Sequence, residues 1–177
     1  MDKAKSPSLI NLAVTALIFI AALTYGFIAL STEDPLWIIG DFEEYPESIF
    51  LNCYGQTSTL LPEDERFDEL VAKVNAALST RKNYDSLTMS ELTYEEYRTG
   101  TTGMILELVY SNPIRIHSFY RFFANLDSIV IPLDGRHAIT SPIFGRANGQ
   151  STAGSLHYLT LPEVRSYIET QGLCTKP

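Results

Sequence analysis

Arg115, His117, Arg136, His137 and Arg146 all fall in the C-terminal half of this 177-residue chain. A guanidinium offers five N–H donors in a fixed fork, and an imidazole adds a donor or acceptor near neutral pH. Together they suit an anionic group, so these five are the candidate ligand-binding residues. A competing use is internal. From Glu33 to Gly100 there are 15 acids and 5 bases, whereas from Thr101 to Pro177 there are 5 acids and 6 bases. A domain so polarised can satisfy its arginines with its own acidic half.

Other chemistries lack a complete set of groups. His117, His137 and His157 stand 20 residues apart, and three imidazoles are enough for an open zinc site. The segments between them differ, however, and neither HExxH nor CxxC occurs, so no metal site is expected. Gly149 to Gly154 reads GxSxxG around Ser151, one residue too long for a nucleophile elbow. Neither Cys53 nor Cys174 has an evident activator, and the layout departs from that of a tethered, sortase-like cysteine transpeptidase. As a pair they allow a disulfide in an oxidising compartment, or two separate thiols. Closing the 121 positions between them is worth roughly 4–5 kcal/mol in a chain-entropy picture. Glu107 sits in the apolar run GMILELVY. If it faces the core it needs a cation, with the later arginines as candidates; an edge or solvent-facing position is simpler. With no P-loop and no GxGxxG, no cofactor is expected.

These residues must be held by something, and composition limits what. With 45% apolar residues and two cysteines, the chain is neither disordered nor built on many disulfides. Its net charge of −8 makes it a poor partner for nucleic acid, whose binding requires basic surface.

The clearest element is Leu9 to Leu30, in which 18 of 22 residues are apolar and no charge occurs between Lys5 and Glu33. As a helix it spans about 33 Å, enough for a hydrocarbon core of ~30 Å. It lacks the polar stripe of a buried core helix. A cleaved signal peptide is the rival reading, with Ala29-Leu30-Ser31 as a cleavage site, but secretory apolar regions are usually shorter. Lys3 and Lys5 precede the span and Glu33 and Asp34 follow it, which places the N-terminus in the cytoplasm. The expected organisation is residues 1–8 cytoplasmic, 9–31 a signal-anchor helix, 32–46 a juxtamembrane connector and 47–177 an extracytoplasmic domain. Trp37 and Tyr45 in the connector suit either lipid headgroups or core packing.

Within the domain, Ser48 to Leu61 predicts a hairpin turning at Gly55-Gln56. Pro62 to Lys82 predicts a helix, with Pro62 at its first position and a stripe of Phe67, Leu70, Val71, Val74 and Leu78. Thr93-x-x-Glu96 and Thr160-x-x-Glu163 are capping boxes for two more helices, the last ending at Gly172. Gly103 to Tyr110 predicts a central strand. Ser128 to Leu133 predicts a strand at an edge or bulge because of Pro132, and Gly145 to Ser155 an exposed loop. Strands and helices do not alternate, so the expected fold is α+β: a mainly antiparallel sheet with helices on one face. The functional expectation is a single-pass membrane protein with a non-enzymatic interaction domain, its partners the bilayer and another envelope protein. Two alternatives stand: an anchored enzyme or anion-binding domain using the Arg/His set, and an accessory subunit of a larger membrane complex.

Overall fold

The computed structural model describes residues 8–176. The expected cytoplasmic segment, with Lys3 and Lys5, therefore lies outside the described residues apart from Ser8. Helix α1 (Leu9–Thr32) opens where the Ser8 hydroxyl accepts the Asn11 N–H at 3.2 Å. It is long and apolar enough to cross a membrane: its most apolar window has a mean hydropathy of 2.3, and none of that window is buried. The threonine hydroxyls along it bond within the helix. Thr15 donates to the Asn11 carbonyl at 2.8 Å and Thr24 to that of Ile20 at 2.9 Å, as an apolar solvent would require.

The domain is an eight-stranded antiparallel sheet with three helices, an α+β fold. Its elements are β1 (Ser48–Cys53), β2 (Gln56–Leu60), α2 (Phe67–Leu78), β3 (Lys82–Asp85), α3 (Glu91–Thr99), β4 (Met104–Ile114), β5 (Leu126–Asp134), β6 (Pro142–Ala147), β7 (Gln150–Ser151), β8 (Ser155–Tyr158) and α4 (Leu161–Thr170). The strand order is β2-β1-β4-β5-β6-β8-β3, with β7 paired to β6. Alternation along the central strands separates two cores. Ile49 and Leu51, Leu106 and Leu108, and Ile129 and Ile131 point to one face, where α2 and α4 cover them. Phe50, Ile105, Val130 and Phe144 point to the other, where Tyr94 and Tyr97 of α3 pack on them. The two helices with the clearest apolar stripes thus share one face, while α3 closes the opposite one.

Several local expectations shift. The first hairpin pairs Cys53 with Gln56, so its turn is Tyr54-Gly55 rather than Gly55-Gln56. Both turn residues have positive φ, 50° and 94°, which is the two-residue geometry that follows the sheet's twist. Helix α2 begins at Phe67, not Pro62. Asp64 bonds both the Arg66 N–H and its guanidinium at 2.9 Å, fixing a turn where the helix was expected to start. The stripe itself is fully buried, and the chain leaves α2 early enough for Lys82 to open β3. For α3 the cap is Ser90, three residues before the expected Thr93; its hydroxyl accepts the Thr93 N–H at 3.1 Å. At Thr160 the hydroxyl serves the Ala77 carbonyl instead of its own helix. Helix α4 does end at Gly172 in the left-handed region: Leu173 N–H reaches the Ile168 carbonyl and Gly172 N–H that of Glu169. Pro132 lies not at an edge but in an interior strand, beside a register shift between Met104 and Ile105 and beyond the last β5–β6 pair at Val130. Part of the expected loop after Gly145 is a second hairpin, β6 to β7, turning at Asn148-Gly149.

The connector is held rather than free. Phe42 is buried, and its N–H donates to Ser79 Oγ at 2.8 Å; Asn75 donates to the Glu44 carbonyl at 3.0 Å. At the opposite end of the sheet Cys53 and Cys174 are joined, tying the chain's last residues to β1 across 121 positions. Replacing both cysteines with serine is expected to lower unfolding free energy by roughly 3–5 kcal/mol, read from urea unfolding in detergent. A loss below about 1 kcal/mol would mean that the unfolded chain is not constrained by this bond.

Candidate functional site

The five Arg and His candidates go to three places, each with its own partners. Arg146 is nearly buried. It lies 2.9 Å from Glu91 at the start of α3, donates to Ser151 Oγ at 3.2 Å and to the Gly149 carbonyl, and stacks 3.7 Å from the Tyr94 ring centre. The Ser151 N–H and Arg146 together hold the Glu91 carboxyl below its usual pKa. Arg136 bonds Glu96 at 2.8 Å and Thr93 at 3.0 Å on the exposed side of α3. The His137 N–H donates to the Tyr97 hydroxyl at 3.0 Å, and burial lowers the pKa of the imidazole. These three residues fasten α3 to the sheet. Arg115 and His117 lie elsewhere, at the end of α1.

Beneath α3 lies the buried carboxylate. Glu107 is 4% exposed in the central strand β4, not at an edge or facing solvent. Tyr94 donates to its two oxygens at 3.0 and 2.9 Å and Ser128 donates at 2.8 Å. Its nearest cation is Arg98, at 3.8 Å, which precedes it in sequence; of the later arginines only Arg146 approaches, through the Tyr94 ring. Burial first, then the neighbouring carboxylate, raises the Tyr94 hydroxyl to about 12, so it remains a donor. A carboxylate so fully bonded is a fastening for α3, and α3 spacing alone did not reveal it. The signal available was Tyr94 and Arg98 at i and i+4 on one helical face.

Near the disulfide, Asp134 gathers Tyr54, Lys176 at 3.1 Å and Arg165 at 3.4 Å. The hydrogen bond from Tyr54, outweighing burial and helped by the Gly135 N–H, Lys176 and Arg165, lowers its carboxyl to about 2. Among the described residues no three His, Cys, Asp or Glu side chains converge as a metal would need. His157 meets Asp85 at 3.4 Å and the Thr140 carbonyl at 2.8 Å, apart from the other two histidines.

The remaining site is the junction between α1 and the domain. Arg115 Nη1 donates to the Thr32 carbonyl at 3.3 Å, placing a cation on the negative end of α1. His117 Nδ1 lies 3.0 Å from both oxygens of Asp34, which is 2% exposed. Tyr25 donates to the Pro35 carbonyl, and its ring lies 6.2 Å from that of Trp37. Trp37 in turn packs 4.3 Å from Phe119, and Tyr120 stacks 4.1 Å from Tyr84. Between these rings opens a cleft of about 650 Å³, lined by Trp37, Ile38, Ile39 and Phe119 and by the cations Arg81 and Lys82. Of the two roles open to it, Trp37 takes the packing one, between Tyr25 of α1 and Phe119 of the domain. Arg81 and Lys82, expected at the end of a longer α2, are freed for this cleft by its early stop. Comparison with protein-family models, curated proteins and solved structures finds no match for this chain.

Two outcomes follow. Because Asp134 is depressed below its ordinary value of ~3.9, its stabilisation is complete above about pH 4 and is lost as pH falls towards about 2. Wild type should exceed Asp134→Asn by roughly 1–2 kcal/mol at pH 6, allowing for partial exposure, and the margin should close between about pH 4 and 2 in thermal melts. Glu107→Ala strands Tyr94 and Ser128 and should cost roughly 2–4 kcal/mol in the same melts, with Glu107→Gln costing less.

Proposed function

We propose that this is a single-pass membrane protein whose domain, residues 47–177, stands outside the cytoplasm against the bilayer and serves a non-enzymatic interaction role towards another envelope protein. The observation that carries this reading is α1: 24 residues, apolar on every side, with none of its most apolar window buried against the domain. Leaving such a surface in water would be costly, and a bilayer relieves it without any unpaired backbone group.

Three features support the details. The side assignment rests on Lys3 and Lys5 before the span and on the disulfide after it, since such bonds persist in oxidising compartments. An uncleaved anchor is favoured over a signal peptide because the domain uses the end of α1. Cleavage after Ser31 would remove Tyr25 and its bond to Pro35. The interaction role is favoured because Arg136, His137 and Arg146 are spent on holding α3, which leaves the domain rigid rather than equipped with a reactive set.

Native membranes carrying the full chain test this directly. Carbonate washing should leave it in the pellet at full length, and a maleimide reagent should label Cys53 and Cys174 only after reduction. Release by carbonate, a chain shortened by its first thirty or so residues, or thiols that react without reductant would contradict the tether, the uncleaved anchor and the oxidising side, respectively. Crosslinking in the same membranes should capture a second envelope protein in addition to lipid.

A further inference from the structure

Cations in this domain are not distributed at random with respect to their partners. Among the described residues there are eleven lysines and arginines. Arg66, Lys73, Arg98, Arg136, Arg146, Arg165 and Lys176 each lie within salt-bridge distance of a carboxylate. The four that do not are Arg81, Lys82, Arg115 and Arg121. Three of them, Arg81, Lys82 and Arg115, sit where α1 meets the domain, and Arg121 follows Tyr120 of the same cleft. Arg81 and Lys82 line the cleft with Trp37 and Phe119. Arg115 caps α1 at Thr32. Arg121 directly follows Tyr120 and lies over the Phe122 ring, 6.0 Å from its centre. A domain that carries a net charge of −9 over residues 33–177 thus directs its unpaired positive charge to one end.

That end is level with lipid. Tyr25 lies seven residues before the end of α1, about 10 Å back along the helix axis. Its bond to Pro35 and its contact with Trp37 show that the connector folds back beside the last two turns of α1. With α1 in a bilayer, the connector residues Trp37, Ile38 and Ile39 that line the cleft stand near the hydrocarbon boundary. The cleft's apolar lining includes exposed residues, Ile38 at 64% and Phe119 at 56%, and Arg81 and Lys82 add positive charge to it. Burial lowers the pKa of Lys82, with buried Asp34 opposing that shift, so an approaching anion relieves a cation already part-stripped of water. The indole N–H of Trp37 lies in the wall with no acceptor. Exposed Glu33 and Asp41 border the same stretch and limit the attraction.

We propose that this cleft holds the headgroup of an anionic phospholipid from the bilayer that α1 enters. The phosphate lies over Arg81 and Lys82, Arg121 stands at the rim, and the acyl chains run down beside Ile38 and Phe119 along α1. Aromatic rings at the boundary and cations just above it are the residue types that hold a protein at this depth. The proposal rests on the reading of α1 as a membrane anchor.

Trp37 is the only tryptophan, so its emission reports the cleft alone. The full chain is reconstituted into nanodiscs containing equal mole fractions of brominated phosphatidylglycerol or brominated phosphatidylcholine, and quenching of Trp37 is measured. Phosphatidylglycerol should quench at several-fold lower mole fraction, and Arg81→Gln with Lys82→Gln should reduce that preference about tenfold or more. Exposed Arg121→Gln should reduce it by a smaller factor and serves if the double variant fails to fold. Equal quenching by the two lipids, or a preference unchanged in a folded variant, overturns the proposal while leaving the anchor intact. Displacement of the lipid effect by millimolar inorganic phosphate would make the ligand a soluble anion and also overturn it. Failure of the chain to enter nanodiscs at all is a failure of the anchor reading, and is separately visible by co-elution.

Discussion

A long uncharged helix with no polar side is costly to leave in water, and that constraint bears on how the domain meets it. The domain covers only the last turns of α1, through Tyr25, Thr32 and the connector that doubles back to them. The most apolar stretch of the helix is left uncovered by the domain. The junction is correspondingly polar and closed: the final carbonyls of α1 meet Arg115, and the buried Asp34 meets His117. A flexible linker would have needed none of these bonds. Their effect is to set the height and tilt of the domain on the helix that carries it.

From that end the sheet runs away from the junction to the disulfide. Cys53 and Cys174 close the far edge, where Asp134 ties Tyr54, Arg165 and the C-terminal Lys176 together. Between the two ends, α2 and α4 bury one face mainly by apolar contact, with Tyr167 donating to Glu69 between them. The opposite face is closed by α3, a short helix with few apolar residues, and there polar chemistry takes over. Glu107, Tyr94, Ser128, Arg98 and Arg146 form one connected network. Such a network holds its helix in a single register, because any slip leaves a buried carboxylate without its donors.

Much of this was legible in the residues. The apolar span, the stripe of α2, the central position of β4 and the glycine that ends α4 follow from periodicity and from the backbone freedom of one residue. What was not legible depended on distant partners. Pro62 and three acids suggested an earlier helix start, but the Asp64–Arg66 turn competes locally and wins. Thr93 and Thr160 both had capping-box spacing, yet Ser90 takes the first cap and Ala77 draws the Thr160 hydroxyl away. Glu107 was readable as unusual, but its depth depended on α3 crossing that face, which a weakly apolar nine-residue helix does not announce. The Arg and His candidates were chosen by type, and type does not distinguish a side chain that waits for a ligand from one already bonded to Glu91 or Glu96. The opposite error applies to Arg81 and Lys82. They looked like the end of a helix, and only the early stop of α2 put them in a cleft beside Trp37.

The central claim is that α1 lies in lipid while the sheet stands directly above it. A nitroxide placed at Leu17, in the reconstituted full chain with its native disulfide intact, tests this most directly through power-saturation electron paramagnetic resonance. The account predicts a label readily relaxed by oxygen and shielded from a water-soluble nickel chelate, with the reverse pattern at Ser58 in exposed β2. A Leu17 label open to the nickel chelate, or shielded from both relaxants as in a protein core, would contradict it.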